Sequence, residues 1–367
     1  MRILILNYEF PPLGGGAGNA TRYLLKEFAK DPNLEINLVT SSVGRFKTEQ
    51  FAPNITIHYL DIGKQENLHY QEDKDLLKYS WKTYWYCRKL KRQTSFDLIH
   101  AFFGIPCGYI AMKLGLPYIV SLRGSDVPFY NKRFYWLDKL VFQRLSRKIW
   151  KKAKAIVANS QGLRKLALKT NPGQKIEVIY NGVDTDGFKP NKNLKVKTRE
   201  SLISVGRLIE RKGYQYLFPA LKWMADVELT LLGDGLLREE LEKMAMEYNV
   251  RVNFAGNVEH DKIINYLQKA DIFILPSLNE GMSNAILEAM ACGLPIIATD
   301  TGGSVELVKG NGFVVPKADS KALREAIMKY IKNPDIIREH GARSRKLAEE
   351  MSWGKMARTY KKIYELA

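Results

Sequence analysis

Glu280 and Glu288, with seven residues between them, form the pair whose types and spacing speak most directly of chemistry. The first carboxylate follows the apolar run DIFILP in a Pro/Ser/Asn/Gly turn. The second lies inside a helical pattern that begins near Ser283 and runs through Ala291. Backbone N–H groups at a helix start receive phosphate oxygens, and a carboxylate accepts two hydroxyl hydrogen bonds, as the cis-diol of a ribose offers. The pair suits a polyhydroxylated, phosphorylated ligand. The alternative is a capping carboxylate beside a surface Glu.

Other loops carry complementary groups. In NYEFPPLGGGAGNATRYLLKEF, Gly14, Gly15 and Gly16 allow close backbone approach to a ligand and Gly18 opens a helix, with a mobile turn that holds no ligand as the alternative. Pro11 and Pro12 lengthen this loop, and no dinucleotide G-x-G-x-x-G register fits. In SVGRLIERKGYQYL, Arg207 follows Gly206 at a strand end and Lys212 precedes Gly213 and the next helix. Such cations hold a diphosphate, Arg by its planar fork and Lys as a point charge; solvated loop charges are the alternative. LLGDG and FAGNVEH also end strands at this edge, so backbone near Gly233, Asn257 and Val258 is placed to hold a base.

The elements that must position these loops alternate along the chain. Short apolar runs are expected as strands at 2–6, 35–40, 55–60, 98–101, 118–122, 155–158 and 175–179, then at 202–205, 228–232, 252–255, 271–275, 295–298 and 312–315. Helical patterns fall between most of them, which implies βαβ units and parallel sheets. Both periodicities lapse in DTDGFKPNKNLKVKTRE. The reading is therefore α/β, with two Rossmann-like doubly wound domains facing a central cleft: residues 1–183, a linker at 184–200, a second domain at 201–350, and a last helix at 351–367 that crosses back or stays with the second domain. Asp184-Thr185-Asp186 looks like a metal-binding pair, but after Asn181-Gly182 it reads as a turn.

At 46% hydrophobic and 26% charged, the 367 residues fit a soluble globular class. No run approaches the ~20 apolar residues of a spanning helix, and RILIL reads as the first buried strand of a cytoplasmic protein rather than a signal peptide. Three cysteines and five histidines show no zinc spacing, so no metal is expected.

The ordered set of the Gly-rich loop, NSQGLRKLAL, VIYNGVDTDGF, VGRLIERKG and E-G-M-S-N-A-I-L-E resembles the GT-B glycosyltransferases of family 4, group 1, over nearly the whole chain. The resemblance implies transfer of a sugar from a nucleotide diphosphate sugar with retention, needing no metal or cofactor. It assigns Glu288 to the ribose, Glu280 to the region of the donor sugar, and Arg207 and Lys212 to the leaving diphosphate. Gly15 and Gly16 would lie beside phosphates and acceptor, and the backbone at Gly281, Met282 and Ser283 would face the sugar and phosphates. The donor is expected to be a UDP-sugar, with GDP-mannose as the alternative. The acceptor is expected to be a lipid-linked or cell-surface glycan. A catalytically silent GT-B partner subunit is the reading from another class.

One position departs from the family. Where many relatives carry a His, SLRGSDVP has Arg123, which cannot serve as a neutral acceptor. Arg123 either holds an anionic acceptor or donor phosphate, with Ser125 and Asp126 beside it and Asp126 orienting an acceptor hydroxyl, or forms a structural pair with Asp126.

The formal net charge of +18 is uneven: residues 1–183 hold 29 Lys/Arg against 14 Asp/Glu. WKTYWYCRKLKR (81–92) and KLVFQRLSRKIWKKAK (139–154) mix cations with apolar residues and contain no acid. The expectation is attachment to an anionic membrane at its inner face, against an amphipathic helix packed on the core. No nucleic-acid module is visible, and no nucleic-acid partner is expected.

Overall fold

Continuous Val/Ile/Leu runs mark strands buried on both faces, and here they become the central strands of two parallel sheets. The computed structural model describes residues 1–65, 72–131, 135–191 and 200–367. One unit comprises Met1–Asn181 with Trp353–Ala367, and the other Gly182–Ser352.

The first unit contains β1 (Arg2–Leu6), β2 (Glu35–Val43), β3 (Lys47–Ala52), β4 (Ile55–Lys64), β5 (Leu98–Phe102), β6 (Tyr118–Leu122), β7 (Ala155–Ala158) and β8 (Glu177–Val178). They lie in the order β3-β4-β2-β1-β5-β6-β7-β8. Ile5 on the central strand sits between Leu38 and His100. All neighbours are parallel except β3, which runs antiparallel to β4 at the edge. Its sequence, KTEQFA, is polar and largely exposed, so no buried run announced it.

The last helix, Trp353–Leu366, belongs to this unit. Trp353, Met356, Tyr360 and Tyr364 join its core, and Trp353 stacks on Tyr23 of helix Gly16–Phe28 with ring planes 1° apart.

The second unit contains β9 (Glu200–Val205), β10 (Val227–Leu232), β11 (Val252–Gly256), β12 (Ile272–Leu275), β13 (Ile296–Thr299) and β14 (Gly312–Val315), in the order β11-β10-β9-β12-β13-β14, all parallel. Separate apolar clusters cover its two faces, one built on Ile286, Leu287 and Met290, the other on Leu217, Phe218 and Tyr330.

The chain passes between units at Asn181–Gly182, two residues earlier than the sequence suggested. The described part of the expected linker, 184–191, is packed rather than free. Phe188 is buried in the second unit's core, and the Arg345 guanidinium donates to the carbonyls of Thr185 and Phe188. Residues 192–199 of that linker lie outside the described residues. Asp184 forms the expected turn, its Oδ1 accepting from the backbone N–H of Asp186 and Gly187.

Candidate active site

In the second unit the site is built at the carboxyl ends of β9, β10, β11 and β12. The loop after β9 is held close by glycines. A side chain at Gly233 would meet the Gly206 carbonyl oxygen at 2.1 Å, and one at Gly213 would meet that of Pro276 at 2.0 Å. Gly213 also has φ +70°, so a Cβ is excluded there by both conformation and space. This seating places half-buried Arg207 next to Gly206, where an added Cβ would meet the Lys212 stem at 3.2 Å.

Lys212 Nζ lies 2.5 Å from Glu280 Oε1, and both side chains are nearly buried. Ser277 Oγ donates to the same carboxylate oxygen at 3.0 Å. Burial pushes the Glu280 carboxyl up, but the charges of Lys212 and Arg211 and the two hydrogen bonds outweigh it, leaving its pKa below the ordinary value. Glu280 is therefore an anion in a poorly solvated place.

Helix Asn284–Ala291 starts one residue later than its cap, Ser283, whose hydroxyl accepts from the Ile286 N–H. This is the usual work of a serine N-cap. Gly281, Met282 and Ser283 are buried in the turn before it. The turn is braced by Gly302 and Gly303, which sequence reasoning did not single out. Residues Glu280 and Gly302 form a β-bridge, and a side chain at Gly303 would overlap the Gly281 carbonyl oxygen at 1.5 Å. The signal was there in ATDTGGS, a Gly pair just past a strand.

Glu288, one turn into that helix, is buried and paired. Its Oε1 lies 2.8 Å from His260 Nε2. His260 opens helix His260–Leu267, and the edge-on ring of Phe188 flanks it at 5.6 Å. Sequence reasoning missed His260 because it looked for zinc spacing, and this imidazole serves a carboxylate. Asn257 and Val258 lead into the same helix, the former exposed and the latter half-buried. Gly233 accompanies them, its N–H bonded to the Gly256 carbonyl at 2.7 Å. The structure thus pairs the expected Lys212 with the expected Glu280, and the expected Glu288 with the unforeseen His260, beside the Arg207 and Gly233 loops.

In the first unit, Gly14 (φ +87°) folds over Glu9, where a Cβ would meet Glu9 at 2.6 Å. Glu9 Oε2 accepts from the Gly15 N–H. Nothing lies within 4 Å of a Cβ built on Gly15, and no side chain caps the helix that begins at Gly16. Gly15 and Gly16 are therefore exposed at a helix start, with the Gly15 N–H held by Glu9.

Arg123 follows β6 and is buried. Its Nη1 donates to Asn181 Oδ1 at 2.9 Å, its plane lies over Phe102 with 4.5 Å to the ring centroid, and Nε and Nη2 have no hydrogen-bond partner. Arg123 and Asp126 are not paired through their side chains. Asp126 Oδ1 accepts from the N–H of Arg123 and Gly124, and Oδ2 from that of Gly104. Burial raises the Asp126 pKa against those three bonds. Asp126 thus shapes the loop, its two oxygens accepting from three backbone N–H groups. Ser125 between them is exposed.

Residues 14–187 match the model of Glycosyltransferase Family 4, and residues 186–350 match Glycosyl transferases group 1. The chain belongs to the group 1, family 4 glycosyltransferases. This glycosyltransferase is 24% identical over 372 residues to an uncharacterized glycosyltransferase of Methanocaldococcus jannaschii, covering 100% of this chain and 98% of that one. Sucrose-phosphate synthase from Thermosynechococcus elongatus matches its fold with a TM-score of 0.87 at 21% identity, over 99% and 98% of the two chains. Anabaena HepE in complex with UDP and glucose matches with 0.77 at 21% identity, over 100% and 99%. The fold is GT-B.

Proposed function

We propose that this glycosyltransferase moves a sugar from a UDP-sugar to a lipid-linked or cell-surface glycan acceptor, with retention and without a metal. The Lys212–Glu280 pair carries the reading. A cation beside an anion that burial has not neutralised suits a donor whose diphosphate gains negative charge while its sugar ring gains positive charge. Lys212 and Arg207 stabilise the departing diphosphate, and Glu280 lies toward the sugar. Glu288, held by His260, takes the ribose hydroxyls. Backbone at Gly281, Met282 and Ser283 meets sugar and phosphates, and that at Gly233, Asn257 and Val258 meets the base. A structural neighbour that binds UDP and glucose supports uridine as the base.

The C1–phosphate oxygen bond breaks and the acceptor oxygen bonds C1 on the same face. The acceptor proton passes to the departing phosphate oxygen, so no protein nucleophile is needed. The acceptor is assigned to the first unit, near Gly15, Gly16 and Arg123. The unpartnered Nε and Nη2 of Arg123 favour an anionic group there. The enzyme is placed at the inner face of an anionic membrane.

A thermal-shift panel of nucleotide sugars tests the donor, because a ligand that binds the native state raises its stability. Stabilisation by UDP-sugars and not GDP-mannose is expected; the reverse order would replace uridine by guanosine. NMR of the product anomeric centre tests retention. Donor binding without hydrolysis or transfer to any acceptor would mark a silent partner subunit instead.

A further inference from the structure

The cationic excess of the first half has a place in the fold. The crossovers from β4 to β5, β5 to β6, β6 to β7 and β7 to β8 all advance in one direction across the sheet, while β1 to β2 goes the other way. Right-handed crossovers then place helices Asp73–Gln93, Tyr109–Leu114, Gln143–Lys152 and Gln161–Thr170 in one layer, opposite helix Gly16–Phe28. Contacts between successive members confirm the row. After the first turn of helix Asp73–Gln93, these four helices carry fifteen Lys and Arg and not one Asp or Glu. An ordinary solvated helix face mixes both signs; this one does not.

Two apolar features stand on the same layer. Trp81 and Trp85, one turn apart, are 66% and 52% exposed. Before helix Gln143–Lys152, Trp136 and Leu140 are 69% and 62% exposed. Large apolar side chains left in water beside cations fit the boundary between lipid headgroups and acyl chains. Between helices Asp73–Gln93 and Tyr109–Leu114 lies a groove of about 350 Å³ lined by Tyr84, Arg88, Lys91, Arg92, Lys113 and Leu114. Lys91 is tied to the Leu114 carbonyl at 2.7 Å, and the Arg88 guanidinium lies over Trp85 at 5.2 Å. One arginine thus belongs to both the groove and the exposed ring.

We propose that this helical layer docks on an anionic lipid bilayer, with Trp81 and Trp85 entering the interface and the Arg88–Lys113 groove receiving a lipid headgroup phosphate. The inference deepens the membrane placement proposed above and names the surface responsible. Helices in these crossovers run back against the strands, so the Arg88–Lys113 groove, near the ends of helices Asp73–Gln93 and Tyr109–Leu114, lies toward the amino ends of the strands, with Trp81 and Trp85 around the middle of the longer helix. A nucleic acid would meet the same charge, but exposed indole, Leu and Val side chains have no role in neutralising phosphates.

The test is flotation of the full chain with vesicles of phosphatidylglycerol and phosphatidylcholine, or of phosphatidylcholine alone, over a salt series. Binding is expected to require the anionic lipid. Arg88→Gln with Lys113→Gln is expected to weaken it roughly 30-fold, taking ~1 kcal/mol per cation near an anionic surface. Trp81→Ala with Trp85→Ala should remove the part that survives high salt. Equal binding to both vesicles, no binding, wild-type binding by the Arg88/Lys113 variant, or displacement by duplex DNA would each overturn the proposal. The nucleotide thermal shift is measured on the same proteins. Its loss in the wild type would sink the donor reading and leave the lipid surface standing, and its persistence without vesicle binding would do the opposite.

Discussion

The ammonium of Lys212 and the carboxylate of Glu280, 68 positions apart in the chain, share a contact of 2.5 Å at the carboxyl edge of the second sheet. Each comes from a loop that a glycine holds against its neighbour, Lys212 ahead of Gly213 and Glu280 beside Gly302. The pair is therefore preorganised, and its members are expected to act as a unit.

Removing either member should show it. Lys212→Ala and Glu280→Gln are each expected to lower kcat by about 10²–10³, the usual loss for one electrostatic contact to a developing charge. The double variant should fall well short of the product of the two losses, because contacting residues do not act additively. Steady-state rates with circular dichroism as a folding control measure this; independent, multiplying losses would separate the residues mechanistically.

Glu288 and His260 are expected to act on binding. Glu288→Ala should raise KM for the donor about 10-fold or more, the scale of a lost hydrogen bond to a charged group, with kcat little changed. His260→Ala should follow in the same direction by less, and His260→Gln should restore part of the loss by donating to Glu288. A fall in kcat with KM untouched would contradict the ribose assignment.

The pH dependence has a definite sign. The native Glu280 pKa lies below its ordinary value of 4.5, so on acidification the unfolded chain takes up the proton first. The stability from this carboxylate is present above that ordinary value and disappears as pH falls through the lower native one. Melting temperatures from pH 7 downward should show Glu280→Gln with a flatter acid limb than wild type. Parallel limbs would mean the pair contributes nothing to stability.

Glycine substitutions should separate architecture from ligand approach. Gly303→Ala forces a methyl into the Gly281 carbonyl and should lower stability by about 2 kcal/mol or more. Gly15→Ala meets nothing within 4 Å, so its melting temperature should be near wild type while kcat/KM falls. Equal melting temperatures for both would show that the Gly303 packing relaxes easily.

Much of the fold was legible because parallel strands are written as unbroken apolar runs, as in RILIL and DIFIL. β3 was not, since an edge strand buries little and KTEQFA has nothing to alternate. The membership of 184–191 was hidden because a single anchor, Phe188, and the distant Arg345 hold it, and neither leaves a period. At the site, Glu280 with Lys212 could be inferred from loops at strand ends. His260 could not, because its partner lies 28 residues away and a lone histidine carries no spacing signal. Arg123 was legible as a departure, but its bond to Asn181 and the commitment of Asp126 to backbone depend on loop geometry alone.

The return of helix Trp353–Leu366 to the first unit makes the second unit an insertion, with its entry and exit strands side by side at the Val183–Ser352 bridge. Translation delivers residues 182–352 before Trp353, Tyr360 and Tyr364 exist to close the first core. On the ribosome, the second unit has its whole sequence in hand while the first must wait for the last helix. Synthesis therefore runs ahead in one half, and the half that begins the chain is the one that finishes last.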